Sequence, residues 1–413
     1  MLGWRSRHVL RPSHSQMLPA WWRGGLEPGG LAGVVGCPAV SAPTEPILPD
    51  FGGACLTGVV PALMAQLYGG DPRPDWVPAP VSGASQIVLL LLDGLGFEQL
   101  ASRRRLAPVL AAAVGGAITS VAPSTTACAL TSLSTGCPPA VHGMVGYRVA
   151  QGDEIMNVLQ WTVGGRDARV SHPAPSFQAC RPFAGSPVPV PVVTRHDFGP
   201  TGFSAAYLGD AELHRWHTQA GLVTGVRSLL AGGSPFVWAY YEGIDKIAHA
   251  RGLGDHYDDE LASVDRLVGD VLGVLPPGAV LVVTADHGQV DVGSSAEVLG
   301  PDIMDGVTLL SGEGRFRWLH VRPGALDQVA AAAEDCFGDV AWVRTREQII
   351  EEGWLGGVPS AAVSARLGDV VLAPFAPTAF LDPADIGELR LAARHGSLTA
   401  AEMLVPLLSW PGR

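Results

Sequence analysis

Two apolar runs constrain this chain more than anything else in it. "QIVLLLLDG" (86–94) and "AVLVVTADHG" (279–288) are continuous hydrophobic segments that end on acidic residues. Unbroken runs of Val, Ile and Leu are what a strand needs when both of its faces are covered, as in a parallel sheet. "GGAITSVAP" (115–123) and "FVWAYYEGID" (236–245) read as two further strands. "DDELASVDRLVGDVLGVL" (258–275) places Leu261, Val264, Leu267, Val268, Val271 and Leu272 on one helical face. Strands alternating with helices predict an α/β fold, with a mostly parallel central sheet flanked by helices. Ligands in such sheets bind beyond the carboxyl ends of strands. Asp93, Thr126, Asp245 and Asp286 all fall there.

Two segments interrupt the alternation. Residues 148–205 are rich in Pro, Gly and polar side chains and read as long loops over the sheet. Residues 301–370 read as a small inserted α+β cap, with "RFRWLHVRP" and "VAWVRT" as strands and "ALDQVAAAAEDCF" and "REQIIEEGWL" as helices. Residues 46–300 and 371–413 then form the core. Residues 1–45 read as a disordered or mis-started extension, with Met17 a second candidate start. They hold no apolar run of the length a signal peptide needs, so a cytoplasmic location is expected.

The composition excludes several functions. Apolar residues make up 47% of the 413-residue chain and charged residues 16%, and the formal charge is −12. That balance argues against nucleic-acid polymers or an anionic membrane as partners. The six cysteines are scattered without a C-x-x-C pair, so reduced thiols are expected rather than a disulfide framework or a zinc–thiolate site.

The chemistry lies in the residues at the strand ends. Asp93 closes the first run, and Thr126 opens a helix in "PSTTACAL" after the second. Asp245 and His249 stand four apart after the third. Asp286 and His287 are adjacent in "ADHG", and His395 follows in "ARHGSLTAAE". Taken singly, each has an ordinary explanation. Asp-Gly after a strand is usually a turn, a threonine at a helix start is usually a cap, and a D-x-x-x-H pair is usually a surface contact. Taken together, they supply nitrogen and hard oxygen donors without thiolate, which suits Zn²⁺ or Mn²⁺ in a hydrolytic site with donors enough for two ions. His142, His196, His256, His320, Tyr147, Phe198 and Phe203 are weaker candidates for substrate contact, with packing or solvation as the default.

In this order, the residues resemble the alkaline phosphatase superfamily, and within it the type I phosphodiesterase/nucleotide pyrophosphatase family. "PSTTACALTSLSTGCPPAVHGMVGY" (123–147) is similar to that family's P-[ST]-x-T…L-x-T-G-x-x-P-x-x-H-G segment, and "ADHG" to its metal motif. The resemblance implies an alkaline-phosphatase-like sheet. It also implies one Zn²⁺ on Asp245, His249 and His395, and a second on Asp93, Thr126, Asp286 and His287. Thr126 would be the catalytic nucleophile, passing through a phospho-threonine ester of a small phosphate ester or nucleotide. Two positions depart from the family pattern: Ala129 stands where an oxyanion-binding Asn is usual, and Ala248 where D-x-x-G-H has Gly. The sulfatase motif C-x-P-x-R is missing, since "CPPAV" ends on Val141. A phosphonoacetate-type phosphonate hydrolase, a phosphomonoesterase and an inactive nucleotide-binding scaffold are the other readings.

Overall fold

The computed structural model describes residues 45–411 apart from Pro72 and Pro200. The reading of residues 1–45 falls, up to residue 44, outside them. A seven-stranded sheet runs in the spatial order Val114–Thr119, Leu404–Pro411, Ala279–Thr284, Gln86–Leu92, Phe236–Tyr241, Pro191–Arg195 and Glu212–Trp216. Gln86–Leu92 pairs in parallel with both Ala279–Thr284 and Phe236–Tyr241. Leu404–Pro411 runs antiparallel to both of its neighbours, so Val114–Thr119 points the same way as the parallel strands. Ile87–Leu92, Phe236–Ala239 and Leu281–Val283 are essentially inaccessible to solvent. Gln219–Ala231 packs on the sheet, and Leu56–Tyr68, Thr126–Thr135 and Asp255–Leu272 share one hydrophobic core with it. No helix among the described residues is long and apolar enough to cross a membrane.

The strands end earlier than the apolar runs suggest. Gln86–Leu92 stops before Asp93, Val114–Thr119 before Thr126, Phe236–Tyr241 before Asp245, and Ala279–Thr284 before Asp286. Each functional side chain therefore stands on the loop or first helical turn that follows, and parallel strand direction puts all four at one edge.

Residues 148–205 are more ordered than the loops expected there. Arg148–Gln151, Glu154–Asn157, Thr162–Val163 and Arg166–Asp167 form a small antiparallel sheet. Pro191–Arg195 joins the central sheet, parallel to both of its neighbours. Its proline content hid it, yet Pro191 stands at the strand's first position, where a missing N–H is tolerated.

Val307–Glu313, Phe316–Val321, Val370–Pro374 and Ala341–Thr345 form a second, antiparallel sheet in that spatial order. The first and third of these strands were not read from sequence, and the sheet extends past residue 370. The helix Leu326–Phe337 lays Val329 and Ala333 on it, in a separate hydrophobic cluster with Leu310, Leu319, Leu372 and Phe380. Two buried ion pairs fasten this unit to the C-terminal segment. Arg315 meets Glu402 through two hydrogen bonds of 2.7 and 2.8 Å, and Arg317 meets Glu388 at 2.5 Å. Removing one partner of such a pair leaves a charge without compensation in the interior. Glu402→Gln is therefore expected to lower unfolding stability by about 3–5 kcal/mol, read as a fall in the urea midpoint. An unchanged midpoint would show that the pair carries no structural load.

Candidate metal centre

The helix Thr126–Thr135 begins with Thr125 in the N-cap position, in extended backbone, but the Thr125 side chain makes no capping hydrogen bond. It stands instead beside the Glu313 carboxyl, whose charged form it favours against burial. Thr126 is the first helical residue, and its Oγ1 lies 3.1 Å from His287 Nε2. One threonine thus begins the helix, and the other points out of it.

The structure brings all seven sequence-nominated residues to one edge of the sheet. Asp245, His249 and His395 form one group and Asp93, Asp286 and His287 a second, each with ligand-type atoms within 4.8 Å of one another. His249 Nε2 is 3.2 Å from Asp245 Oδ1, and His395 Nε2 is 3.9 Å from the same oxygen. His287 Nε2 is 3.6 Å from Asp93 Oδ1 and 3.5 Å from Asp286 Oδ2. The rings of His287 and His395 stack at 3.5 Å, which joins the two groups.

Local sequence explains these placements. Asp245 enters through the first turn of Gly243–Arg251, which brings His249 onto the same face one turn later. Gly94 makes the approach feasible: its φ is +76°, and a Cβ there would lie 2.9 Å from Asp245 Cα. His395 is carried in by a short ladder in which Val290–Asp291 pairs with Ala393–Arg394. A further bond from Ala392 N–H to the His249 carbonyl, 2.8 Å, fixes that ladder to the Asp245 helix.

All three imidazoles are held in the same way. Nδ1 of His249 faces the Ala393 carbonyl at 2.8 Å, that of His287 the Gly288 carbonyl at 3.0 Å, and that of His395 the Ser124 carbonyl at 3.0 Å. A carbonyl only accepts, so each Nδ1 carries the proton and each Nε2 presents a lone pair inward. Metal-ligating histidines are fixed like this by their surroundings. The carboxylates are held by groups that sequence reading did not nominate. Tyr240 O–H donates to Asp93, Gly94 N–H to Asp286 Oδ1 at 3.1 Å, and Gln289 Nε2 to Asp245 Oδ1 at 2.7 Å. Gln289 directly follows "ADHG" and Tyr240 is the penultimate residue of Phe236–Tyr241, so position was the only signal available for either.

The electrostatics call for cations. Asp93 Oδ1 and Asp286 Oδ2 are buried without a hydrogen-bond partner. Burial, followed by repulsion from Asp286 and Asp245, pushes Asp93 well above the usual carboxylate range. Burial raises Asp286 too, against the pull of His287. Burial also acts to raise Asp245, but His249, His395 and His287 outweigh it and hold that carboxyl low. Burial and the neighbouring imidazoles push His395 well below its ordinary value, towards the neutral ring. Orphaned carboxylate oxygens and inward lone pairs fit divalent metal ions.

The weaker candidates divide by environment. His142 is buried, accepts from Met144 N–H at Nδ1 and meets Ser132 Oγ at 2.8 Å through Nε2, with burial pulling it down to about 3. It therefore fixes a turn. His320 bonds Ser311 within the second sheet, His256 is exposed, and His196 stacks on His217 at 4.1 Å. Tyr147 donates to Asp385 at 2.5 Å, and Phe203 stacks on Tyr207. Phe198 is different. It packs 5.8 Å from the ring of Tyr240, the residue whose O–H holds Asp93, so it backs the site through that tyrosine.

Two carboxylate–imidazole groups around an alcohol at a helix N-terminus, beyond a mostly parallel sheet, place the protein in the alkaline phosphatase superfamily. The type I phosphodiesterase/nucleotide pyrophosphatase family model matches residues 87–398, and the chain belongs to that family. It is thus a phosphoric ester hydrolase by class, in a metal-dependent family. No curated protein matches the sequence. Among solved structures, an inactive variant of murine ectonucleotide pyrophosphatase/phosphodiesterase 5 in complex with AMP is 15% identical, with a TM-score of 0.57 over 78% of this chain and 87% of that one. The human form of the same protein is 14% identical, with a TM-score of 0.58 and the same coverage. Phosphonoacetate hydrolase from Sinorhizobium meliloti 1021, in complex with phosphonoacetate, is 19% identical, with a TM-score of 0.58 over 81% and 90% of the two chains.

The crowded carboxylates give a test with a change of sign. In Asp286→Asn the amide oxygen can keep the bonds from Gly94 and His287 N–H, while the amide NH₂ faces its surroundings without charge. Chelator-treated Asp286→Asn protein should melt several degrees above chelator-treated wild type. Added Zn²⁺ should stabilise the wild type strongly and the variant little. A variant that melts lower without metal, or responds to Zn²⁺ like wild type, contradicts the reading of a carboxylate group awaiting cations.

Proposed function

We propose that the protein hydrolyses phosphodiesters of small, nucleotide-like substrates, with Thr126 as the nucleophile on a two-zinc site. The reading rests foremost on the three Nδ1–H tautomers, which aim every Nε2 at the buried carboxylates and the Thr126 hydroxyl. Asp245, His249 and His395 would hold one ion, and Asp93, Asp286, His287 and Thr126 the other, with Mn²⁺ as the alternative metal. When bound, such ions supply Lewis-acid charge against phosphoryl oxygens and lower the pKa of a coordinated hydroxyl.

The chain's own contribution follows from position. Thr126 Oγ1 attacks phosphorus in line, the ester oxygen opposite it departs, and a phospho-threonine ester remains until water cleaves it. The helix N-terminus directs backbone N–H groups and its positive dipole end at the phosphoryl oxygens. Ala129 brings no polar side chain to that turn and is itself fully buried, so the main chain supplies the donors. Phe198, packed on Tyr240 with the Lys246 ammonium 5.4 Å over its ring, would be the nearest aromatic surface for a base or another organic substituent to approach.

The preference for a diester is argued from charge. A monoester carries one more negative charge and benefits from an arginine clamp. Arg148 is engaged by Asp382, Arg195 by Asp197 and Glu242, and Arg315 is buried against Glu402. Each of these guanidinium groups is already neutralised within the protein.

Thr126→Ala should abolish turnover while metal content, measured by elemental analysis, stays at the wild-type level. Activity that survives this change overturns the role of Thr126. The wild type should cleave bis-(p-nitrophenyl) phosphate at least tenfold faster than p-nitrophenyl phosphate, and should leave phosphonoacetate intact. A strong monoester preference, or release of phosphate from phosphonoacetate, would move the assignment to the corresponding branch of the superfamily.

A further inference from the structure

The helix Thr126–Thr135 has a second reactive feature, at the end away from the metal centre. It stops at Gly136, which is left-handed with φ +73°, and Cys137 follows. Cys180 comes from the segment leading into Pro191–Arg195 and stands beside Cys137: a backbone bond between residues 183 and 134, three positions from each cysteine, joins the two segments. Each thiol acts on the other's ionisation, while the Cys137 S–H donates to the Thr135 carbonyl at 3.8 Å. Both cysteines are partly exposed, whereas Cys55 and Cys128 are buried, and Cys336 is exposed on the helix Leu326–Phe337 of the second sheet's unit.

Both backbones are held in place. Cys137 N–H donates to Thr135 Oγ1 at 3.2 Å. Cys180 is clasped by Gln178, a buried side chain whose amide oxygen accepts from Cys180 N–H and whose NH₂ donates to the Cys180 carbonyl at 2.9 Å and to Ala206 at 2.8 Å. Phe183 N–H donates to the Ser134 carbonyl at 2.7 Å, so the two segments are already joined next to the thiols. The thiols also differ in character. The neighbouring Cys180 thiol pulls the Cys137 thiol down to about 7, against burial, while Cys137 and burial push Cys180 up. The thiolate is the nucleophile in exchange, and its partner is the later-reacting group.

We propose that Cys137 and Cys180 form a specific thiol-oxidation site, in which Cys137 attacks a low-molecular-weight disulfide and Cys180 resolves the adduct. The Cys137 thiolate, having released its proton, displaces one thiolate from the small disulfide and forms a mixed disulfide. The Cys180 thiolate, after losing its proton, then attacks the Cys137 sulfur and expels the second small thiolate. In sum, two cysteine thiols and one small disulfide become one protein disulfide and two small thiols. The bond pins the segment before Pro191–Arg195 to the C-terminal end of the helix. It lies about 15 Å along that helix from Thr126, at 1.5 Å of rise per residue. The expected effect is therefore on stability, by restricting the unfolded chain.

The metal-loaded full-length protein is incubated with oxidised glutathione, alkylated, digested and mapped by mass spectrometry. The expected result is one Cys137–Cys180 linkage and a rise of a few degrees in the melting midpoint. Cys180→Ser should accumulate glutathione on Cys137, because the resolving thiol is gone. Cys137→Ser should leave Cys180 unmodified under conditions in which exposed Cys336 reacts. Modification of Cys336 without a Cys137–Cys180 linkage overturns the proposal. Equal labelling of Cys180 in Cys137→Ser overturns the assigned order of attack.

Discussion

Asp93, Asp245 and Asp286 converge where parallel strands end, and the repulsion among them is the constraint to which the surroundings answer. Carboxylates taken out of water need compensation, and an interior without it shifts their ionisation or loses stability. The protein supplies part of that compensation itself. Tyr240, Gln289 and the Gly94 amide each hold one oxygen, and other oxygens remain without partners. The site is therefore stiff but incomplete, and the stiffness comes from the sheet behind it.

The imidazoles answer the same constraint through the main chain. Ala393, Gly288 and Ser124 offer carbonyls from three separate segments, and each sets one ring's tautomer. Because these acceptors are backbone atoms, side-chain substitution leaves them in place. The glycines allow the necessary closeness: Gly94 beside Asp245, and Gly396, at φ +132°, beside Glu313. Glu313 in turn stands beside Thr125, so the second sheet reaches the residue that precedes Thr126.

Much of this was legible in the chain because its causes are local. Ile87–Leu92 and Ala279–Val283 are apolar without interruption since both of their faces are covered, and several acidic residues and imidazoles recurring just beyond such runs are harder to explain by turns than any one of them. The order of Asp93, Thr126, Asp245, His249, Asp286, His287 and His395 carried the family resemblance, which the family model bears out. What stayed hidden depends on distant partners. Pro191–Arg195 looks like a loop until its neighbours are known. Arg315 is locked in the interior to Glu402, a partner 87 residues away that no local pattern announces. Tyr240 and Gln289 carry no motif, and the meeting of Cys137 with Cys180 is set by tertiary approach alone.

The order of strands has a consequence for how the protein comes into being. Leu404–Pro411 lies inside the central sheet, between Val114–Thr119 and Ala279–Thr284. As the ribosome makes the chain, Val114–Thr119 must wait nearly three hundred residues for the strand that ties it to the rest. Until then one flank of the sheet is open, although Ser120, just beyond Val114–Thr119, bonds the Asp286 carbonyl directly. Nascent protein therefore depends on whatever shields that open flank until Leu404–Pro411 is in place.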